Sequence, residues 1–139
     1  MALNLSSLQK AIDTLQRSIN AAQEGAESLD ADVLEAVKAG VIQHFEVTYE
    51  LCWKFILRWI KENRSSEDAE NPVTRKEIFR QAARYGLIGS PESWFVYGDA
   101  RNLTSHTYNQ SQAVSVYNTA MGFLDDAKYL LEKLKTSND

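Results

Sequence analysis

Apolar residues recur at helical spacing along nearly the whole chain. In the first segment Leu8, Ile12, Leu15 and Ile19 are spaced by three or four residues, which places them on one face of an α-helix. The 139 residues include only 2 Pro and 6 Gly, too few for the many turns of an all-β fold. The pattern therefore predicts an all-α chain with the length of about one domain.

Two long helices are expected in the first half of the chain. The first covers about residues 6–25, and Ser6 or Ser7 is expected to cap its N-terminus. The second begins between residues 30 and 32 and ends near Asn63. Its apolar residues reach several faces of the helix, as expected for a central helix that is contacted from more than one side.

A polar stretch over residues 63–73 predicts the one long loop. Thr74 and Glu77 then have the spacing of a capping box, which marks the start of a short third helix. Gly86 follows where a left-handed C-terminal cap is expected, so the third helix should end there.

Two further helices complete the predicted fold. Ser90 as N-cap and Pro91 in the first helical position should begin the fourth helix. The fifth covers about residues 110–136. Long helices with short connections predict an antiparallel up-and-down four-helix bundle with one additional short helix, in a single helical domain that spans residues 1–139.

The composition excludes several classes of protein. The chain has 15 Lys and Arg against 19 Asp and Glu, a net charge of -4, which argues against a generic nucleic-acid coat protein. A single cysteine, Cys52, excludes an internal disulfide framework and a thiolate zinc site. The first residues lack a signal-peptide pattern, and no apolar run is long enough to span a membrane. We therefore expect a cytoplasmic protein.

The densest cluster of reactive side chains runs from Asp99 to Tyr108. On an ideal helix Asp99, Asn102 and His106 share one face. Arg101 lies about 140° from His106, so the two converge only if the helix ends between them or a second subunit contributes. Histidine with arginine suits metal-independent RNA transesterification. In the alternative, His106 donates hydrogen bonds to the carbonyl groups at the C-terminus of the helix, and Arg101 forms an ion pair with Asp99 or a neighbouring acid.

Lys76, Arg80 and Arg84 form a ladder of cations at i, i+4 and i+8 on the predicted third helix. They are candidate phosphate-binding residues, for RNA or for an acidic patch on a partner protein. The alternative is a solvated helix face without a ligand.

Glu46 and Glu50 lie one turn apart on the second helix. Two carboxylates this close repel each other, so they are candidates to bind or orient the arginine or the histidine. Asp99 is a third candidate supporting acid. In the alternative, Glu50 pairs with Lys54 and Glu46 reaches solvent.

Three segments together resemble the nucleotidyltransferase substrate-binding branch of the HEPN superfamily, over about residues 8–134. The superfamily motif is R-x4-H-x-Y, in which a polar residue often follows the arginine. The matching segments are Arg101-Asn102-x3-His106-x-Tyr108, Phe45-Glu46-x2-Tyr49-Glu50-Leu51-x-Trp53-Lys54, and Thr74-x-Lys76-Glu77-x-Phe79-Arg80-x-Ala82 followed by Gly86-Leu87-Ile88.

The resemblance implies a helical bundle that forms a two-fold dimer, with the R-x4-H motifs facing each other across the dimer cleft. Members of this branch are typically encoded beside a minimal nucleotidyltransferase. In related toxin–antitoxin pairs, the HEPN protein is a metal-independent ribonuclease that is silenced when its partner adds AMP to the motif tyrosine. Carried over, the catalytic residues are Arg101, Asn102 and His106, and Tyr108 is the modification or positioning residue. No metal or other cofactor is implied.

Three functions remain open from the sequence. The first is a subunit that binds a minimal nucleotidyltransferase and a nucleotide or RNA phosphate. The second is a metal-independent endoribonuclease toxin that is neutralised by AMPylation of Tyr108. The third is a helical homodimer without active chemistry.

Overall fold

The computed structural model describes residues 3–63, 74–104 and 109–137. Within these ranges the chain forms α1 (Ser6–Gly25), α2 (Ala31–Asn63), α3 (Arg75–Arg84), α4 (Pro91–Thr104) and α5 (Gln110–Thr136). The predicted all-α class and the order of its helices are confirmed. The long loop was expected over residues 63–73. Asn63 is the last residue of α2, and residues 64–73 lie outside the described residues. None of the described helices combines the length and the apolar content that a membrane span requires.

The start of α1 differs from the expectation. Ser6 is already the first helical residue, and Leu5 occupies the cap position without a side-chain hydrogen bond. Neither Ser6 nor Ser7 is therefore placed to cap the helix. The side chain of Asn4 instead accepts a hydrogen bond from the Ser6 backbone N–H at 3.0 Å, which satisfies one amide that the helix leaves without a partner.

The boundaries of α3 and α4 follow the predicted signals. The Thr74 hydroxyl accepts a hydrogen bond from the Glu77 backbone N–H at 3.1 Å. Gly86 has φ +78°, the left-handed conformation that ends many helices at little cost for glycine. The Ser90 hydroxyl accepts a hydrogen bond from the Ser93 backbone N–H at 3.4 Å, at the start of α4.

Helix α2 lies at the centre of the bundle. Helix α1 packs along it after the short connection over residues 26–30 and so runs antiparallel to it. Helix α5 runs parallel to α2. The rings of Phe45 and Phe123 are in contact near the middles of the two helices, and the Trp59 indole N–H donates to the Ser137 carbonyl near the C-terminal ends of both. Helix α4 packs against α5, and the short α3 packs on α2 and α4. The predicted bundle with one additional short helix is confirmed.

Phe123 of α5 is fully buried at the centre of an aromatic cluster. Its ring centroid lies 5.0 Å from that of Phe45, 5.1 Å from Tyr97, 5.6 Å from Trp94 and 6.5 Å from Tyr49. Burying one such side chain contributes about 1.5–3 kcal/mol. The cluster therefore fixes α2, α4 and α5 relative to one another directly beneath the candidate site.

Candidate functional site

Two carboxylates of α2 hold Arg101 near the end of α4. The Arg101 Nε atom lies 3.3 Å from a Glu50 carboxylate oxygen, and its Nη1 atom lies 3.9 Å from a Glu46 oxygen. About a quarter of each of the three side chains is exposed, from 23% for Glu50 to 30% for Glu46. The guanidinium is therefore oriented by the protein while it remains within reach of solvent and of a ligand.

Glu50 joins three helices. Its carboxylate accepts a hydrogen bond from the Trp53 indole N–H at 2.9 Å and lies 3.5 Å from a guanidinium nitrogen of Arg75, in addition to its contact with Arg101. The alternative that pairs Glu50 with Lys54 is wrong. The Lys54 ammonium instead lies 5.7 Å from the ring centroid of Trp53, because Glu50 faces α3 and α4.

Arg75 is a residue of the candidate site that the sequence did not single out. Its guanidinium lies 4.8 Å from the ring centroid of Trp53 and 5.8 Å from that of Tyr49. Burial raises the pKa of the Tyr49 hydroxyl, and the neighbouring Arg75 opposes that rise. The predicted cap at Thr74 marks Arg75 as the first residue of α3. From that position Arg75 reaches the site, although it is not part of the cation ladder that begins at Lys76.

A small notch opens next to this network, between α2, α3 and α4. Its volume is about 100 Å³, enough for a small polar group but less than the several hundred Å³ of a small-molecule pocket. Its lining combines cationic, aromatic and polar side chains: Tyr49, Arg75, Lys76, Phe79, Trp94, Phe95, Gly98, Asp99 and Asn102.

Gly98 allows α4 to approach α2 closely at the notch. A methyl group at this position would lie 2.8 Å from the Tyr49 hydroxyl oxygen and 3.6 Å from the ring carbon that bears it. A contact under about 3 Å would force one of the two side chains to shift. Tyr49 is only 1% exposed, so the core around it leaves little room for that shift. The close approach occurs one helical turn before Arg101.

The structure brings some of the predicted residues together and leaves others apart. Asp99, Asn102 and Lys76 line the notch beside Arg101. The acids that hold Arg101 are Glu46 and Glu50. Of the two partners that the alternative offered for Arg101, Asp99 or a neighbouring acid, the structure shows the neighbouring acid.

The other predicted cations lie on the exposed side of α3. Arg80 and Arg84 each lie 3.6 Å from Glu77, outside the notch. His106 and Tyr108 lie outside the described residues, so their predicted roles stay predictions.

The described charges around Arg101 nearly balance. Two guanidinium groups, Arg75 and Arg101, face the two carboxylates Glu46 and Glu50. Such a cluster orients an arginine well, because a planar guanidinium matches carboxylate geometry. A phosphate that binds here needs additional positive charge from neighbouring residues.

A larger cavity of about 340 Å³ lies elsewhere, between the first halves of α2 and α5. Two of its lining residues are in contact, since the Lys38 ammonium lies 5.1 Å from the ring centroid of Tyr117. None of the predicted site residues in the described ranges lines this cavity. The lining residues are Glu35, Lys38, Ala39, Ile42, Asn109, Gln110, Ala113, Val114, Tyr117 and Asn118.

Cys52 is fully buried, and burial raises the pKa of its thiol. A buried thiol with a raised pKa forms little thiolate, so Cys52 is a poor nucleophile and metal ligand. Across the part of the chain that the structure describes, no group of three His, Cys, Asp or Glu side chains could hold a metal ion.

Comparisons with known proteins identify the family. A family model described as "Nucleotidyltransferase substrate binding protein like" matches residues 3–136. A Haemophilus influenzae protein named "Probable ribonuclease HepT" is 41% identical over 106 residues, which cover 76% of this chain and 73% of that protein.

Solved structures agree with this assignment. A Haemophilus influenzae structure, described as the fold of a substrate binding domain of a nucleotidyltransferase, matches with a TM-score of 0.88 and 35% identity, and covers 95% of this chain and 99% of that chain. A Thermus thermophilus crystal structure matches with a TM-score of 0.73 and 23% identity, over 92% of this chain and 98% of that chain, and supports the fold alone. The chain belongs to the nucleotidyltransferase substrate-binding-protein-like family, which confirms its resemblance to that branch.

Proposed function

We propose that the chain is the HEPN-type subunit of a two-component minimal nucleotidyltransferase system and binds an RNA or nucleotide phosphate at its R-x4-H-x-Y motif. The observation that carries the proposal is the position of Arg101, which Glu46 and Glu50 orient near the end of α4 beside the small notch. An arginine fixed in this way presents its planar donors to a phosphate with little loss of side-chain entropy.

The other motif residues complete the proposed site. Asn102 lines the notch next to Arg101 and can donate its amide to a phosphate oxygen. His106 follows Arg101 by five residues and supplies a group that exchanges protons near neutral pH. Asp99 lines the same notch and is proposed to orient the bound group or the histidine.

A nucleotidyltransferase partner is the second part of the proposal. It is supported by the family description and by the described fold of the Haemophilus influenzae relative. The test is to mix the purified chain with a minimal nucleotidyltransferase encoded beside it and to follow both by size-exclusion chromatography. A common peak is expected, and two separate peaks at micromolar concentrations would contradict this part of the proposal.

A metal-independent ribonuclease is the second candidate function. The observation that favours it is the relative named a probable ribonuclease, at 41% identity. In this mechanism His106 takes the proton of an RNA 2′-hydroxyl, whose oxygen attacks the adjacent phosphorus. The bond from phosphorus to the 5′-oxygen breaks, that oxygen takes up a proton, and the products are a 2′,3′-cyclic phosphate and a 5′-hydroxyl. Arg101 stabilises the charge of the pentacovalent phosphorane.

Tyr108 is the proposed point of control for this activity. A nucleotidyltransferase would transfer AMP from ATP to the Tyr108 hydroxyl, with loss of the hydroxyl proton and release of pyrophosphate. The added phosphate brings negative charge to the motif and would repel an RNA phosphate there.

RNA cleavage in excess EDTA separates the two candidates. Wild type is compared with the Arg101→Ala and His106→Ala variants and with Arg17→Ala, which removes an exposed arginine from α1 as a matched control. Cyclic-phosphate fragments that appear with wild type and Arg17→Ala, and disappear with the two motif variants, would establish the ribonuclease. Intact RNA in every lane, with a native circular dichroism spectrum, would favour the binding subunit.

A further inference from the structure

The cations of α3 give an acidic protein a positive surface. This ten-residue helix carries four of the 15 basic residues of the chain, at positions 75, 76, 80 and 84, and one of its 19 acidic residues, Glu77. The net charge of the whole chain is -4. A local concentration of positive charge on such a background attracts anions specifically to α3.

An aromatic ring of α4 lies within this surface. Phe95 is only partly buried, and its ring has the Lys76 ammonium 5.4 Å from its centroid and the Arg80 guanidinium carbon 5.3 Å from it. A partly exposed aromatic ring beside two long cationic side chains is the combination on which unpaired bases stack while their phosphates are neutralised.

The ion pairs already present on α3 are weak competitors for a phosphate. Arg80 and Arg84 share the single carboxylate of Glu77, and all three side chains are exposed. Exposed pairs of this kind contribute little to stability, because water screens them. Among the described residues Lys76 lies within ion-pair distance of no carboxylate. Both cations that lie over the Phe95 ring can therefore turn toward a ligand at small cost.

The size of the notch limits where a base can lie. Lys76 and Phe95 line the notch together with Asn102, so the cationic surface continues to the motif helix. The notch itself holds about 100 Å³, whereas small-molecule sites enclose roughly 300–1,000 Å³. A base must therefore lie against the outer face of Phe95 and not inside the notch, as it would in a strand that crosses the surface.

Acidic residues limit the path of such a strand. Glu92 and Asp99 lie one turn before and one turn after Phe95 on α4, and both are exposed. They repel phosphates along α4. The backbone of the strand would therefore follow α3, with its base turned toward Phe95.

We propose that Lys76, Arg80 and Phe95 form a subsite for single-stranded RNA that leads to the Arg101 motif. One unpaired base stacks on Phe95, and the phosphates on either side of it bind Lys76 and Arg80. The inference rests on the proposed function in that it extends the same phosphate site, and it assigns the recognition of unpaired RNA to residues outside the motif.

The test measures binding of a short fluorescein-labelled single-stranded RNA by fluorescence anisotropy over a series of salt concentrations. All variants carry His106→Ala, so that no RNA is cut. The Lys76→Ala/Arg80→Ala variant should weaken binding and reduce the slope of log K against log salt by about 1.4, since each phosphate contact on a single strand contributes about 0.7. The Lys10→Ala/Arg17→Ala variant, with the same change of charge on α1, should retain the slope of the His106→Ala parent.

Phe95 is tested by a pair of substitutions. Phe95→Leu removes the stacking face and should weaken binding about 5- to 160-fold without a change in the salt slope. Phe95→Tyr keeps the face and should retain binding, which distinguishes stacking from a general loss of structure. The same sequence as a duplex should bind without sensitivity to Phe95→Leu.

The outcomes separate this inference from the proposed function. If Arg101→Ala weakens binding and the α3 and Phe95 variants do not, the subsite is wrong and the motif site stands. If the α3 and Phe95 variants weaken binding and Arg101→Ala does not, the subsite stands and the motif is not the phosphate site. Loss of the nucleotidyltransferase complex with unchanged RNA affinity would assign α3 to the protein partner and overturn the subsite. Absence of RNA binding by the parent protein would overturn both.

Discussion

Glu50 of α2 and Arg101 of α4 are joined by a contact of 3.3 Å between a carboxylate oxygen and the guanidinium Nε. The pair links the central helix to the helix that carries the motif. Because Glu50 also accepts the Trp53 indole N–H, its carboxylate is held by a contact that does not involve Arg101. The orientation of the motif arginine therefore depends on a residue that lies about 50 positions earlier in the chain.

Glu50→Gln tests this dependence. Glutamine keeps the volume and can still accept the Trp53 hydrogen bond, but it removes the charge that holds Arg101. We expect a loss of about 1 kcal/mol in the free energy of unfolding, because one ion pair is removed. RNA binding or cleavage should fall about 10- to 100-fold, because the Arg101 guanidinium is no longer held in the orientation that a phosphate requires. Denaturant titration and the RNA assays measure the two effects.

Two comparisons make the Glu50→Gln result specific. Glu62→Gln, a change of the same kind at an exposed position of α2, should leave both quantities unchanged. In an Arg101→Ala background, Glu50→Gln should have no further effect on RNA. An equal loss in both backgrounds would show that Glu50 does not act through Arg101.

Gly98→Ala should destabilise the protein although alanine is the better helix former. The added methyl would lie 2.8 Å from the buried Tyr49 hydroxyl oxygen, and such overpacking costs about 1–3 kcal/mol. Gly122→Ala in α5 is the matched control, since its methyl would have no neighbour within 4 Å. It should stabilise by about 0.5–1 kcal/mol. Thermal unfolding measures both, and a stabilised Gly98→Ala would contradict the close approach.

Alkaline pH should destabilise the protein through Tyr97. Burial first, and then its hydrogen bond to Asp126, raise the pKa of the Tyr97 hydroxyl above its ordinary value of 10.0. The folded state therefore favours the protonated phenol, and this contribution is complete below pH 10 and declines as the pH rises further. The free energy of unfolding should fall above pH 10 in urea titrations.

Tyr97→Phe should make that alkaline decline shallower. At neutral pH it should cost about 1 kcal/mol, the value of one hydrogen bond to a charged acceptor that remains partly solvated. Tyr129→Phe, at an exposed position of α5, is the control and should follow the wild-type curve. A Tyr97→Phe curve parallel to wild type above pH 10 would assign the decline to other groups.

A two-fold dimer should be the state of the protein in solution. The dimer is expected from the HEPN resemblance, and it would bring a second R-x4-H motif to the same cleft. Multi-angle light scattering at micromolar concentration should give twice the chain mass of 15.7 kDa. A mass of one chain would remove the argument that His106 and Arg101 of two protomers share a groove.

The sequence predicted the helices because each one carries a local signal. The stripe from Leu8 to Ile19, the cap at Thr74 and the left-handed Gly86 all act within a few residues, and the structure confirms them. The cap of α1 was wrong because a serine at the first helical position resembles one at the cap. Such an error of one residue is typical of helix ends.

Contacts between helices were harder to predict. Glu50 was chosen as a candidate supporting acid and does contact Arg101, but its alternative partner Lys54 was wrong, since i,i+4 spacing says nothing about α3 or α4. Arg75 and the Tyr97–Asp126 pair were missed for the same reason. Each partner lies 25 or more positions away in the sequence, and only the packing of the helices brings them together.

The shortness of α3 has a consequence for the RNA subsite proposed on it. An isolated helix of ten residues is marginal in water, so α3 remains helical because Ile78 and Phe79 are docked in the core. Local opening of α3 and occupancy of its cations are therefore linked equilibria. Bound RNA should slow amide hydrogen exchange in α3 more than in α1, and the same opening that exposes α3 amides would release the strand.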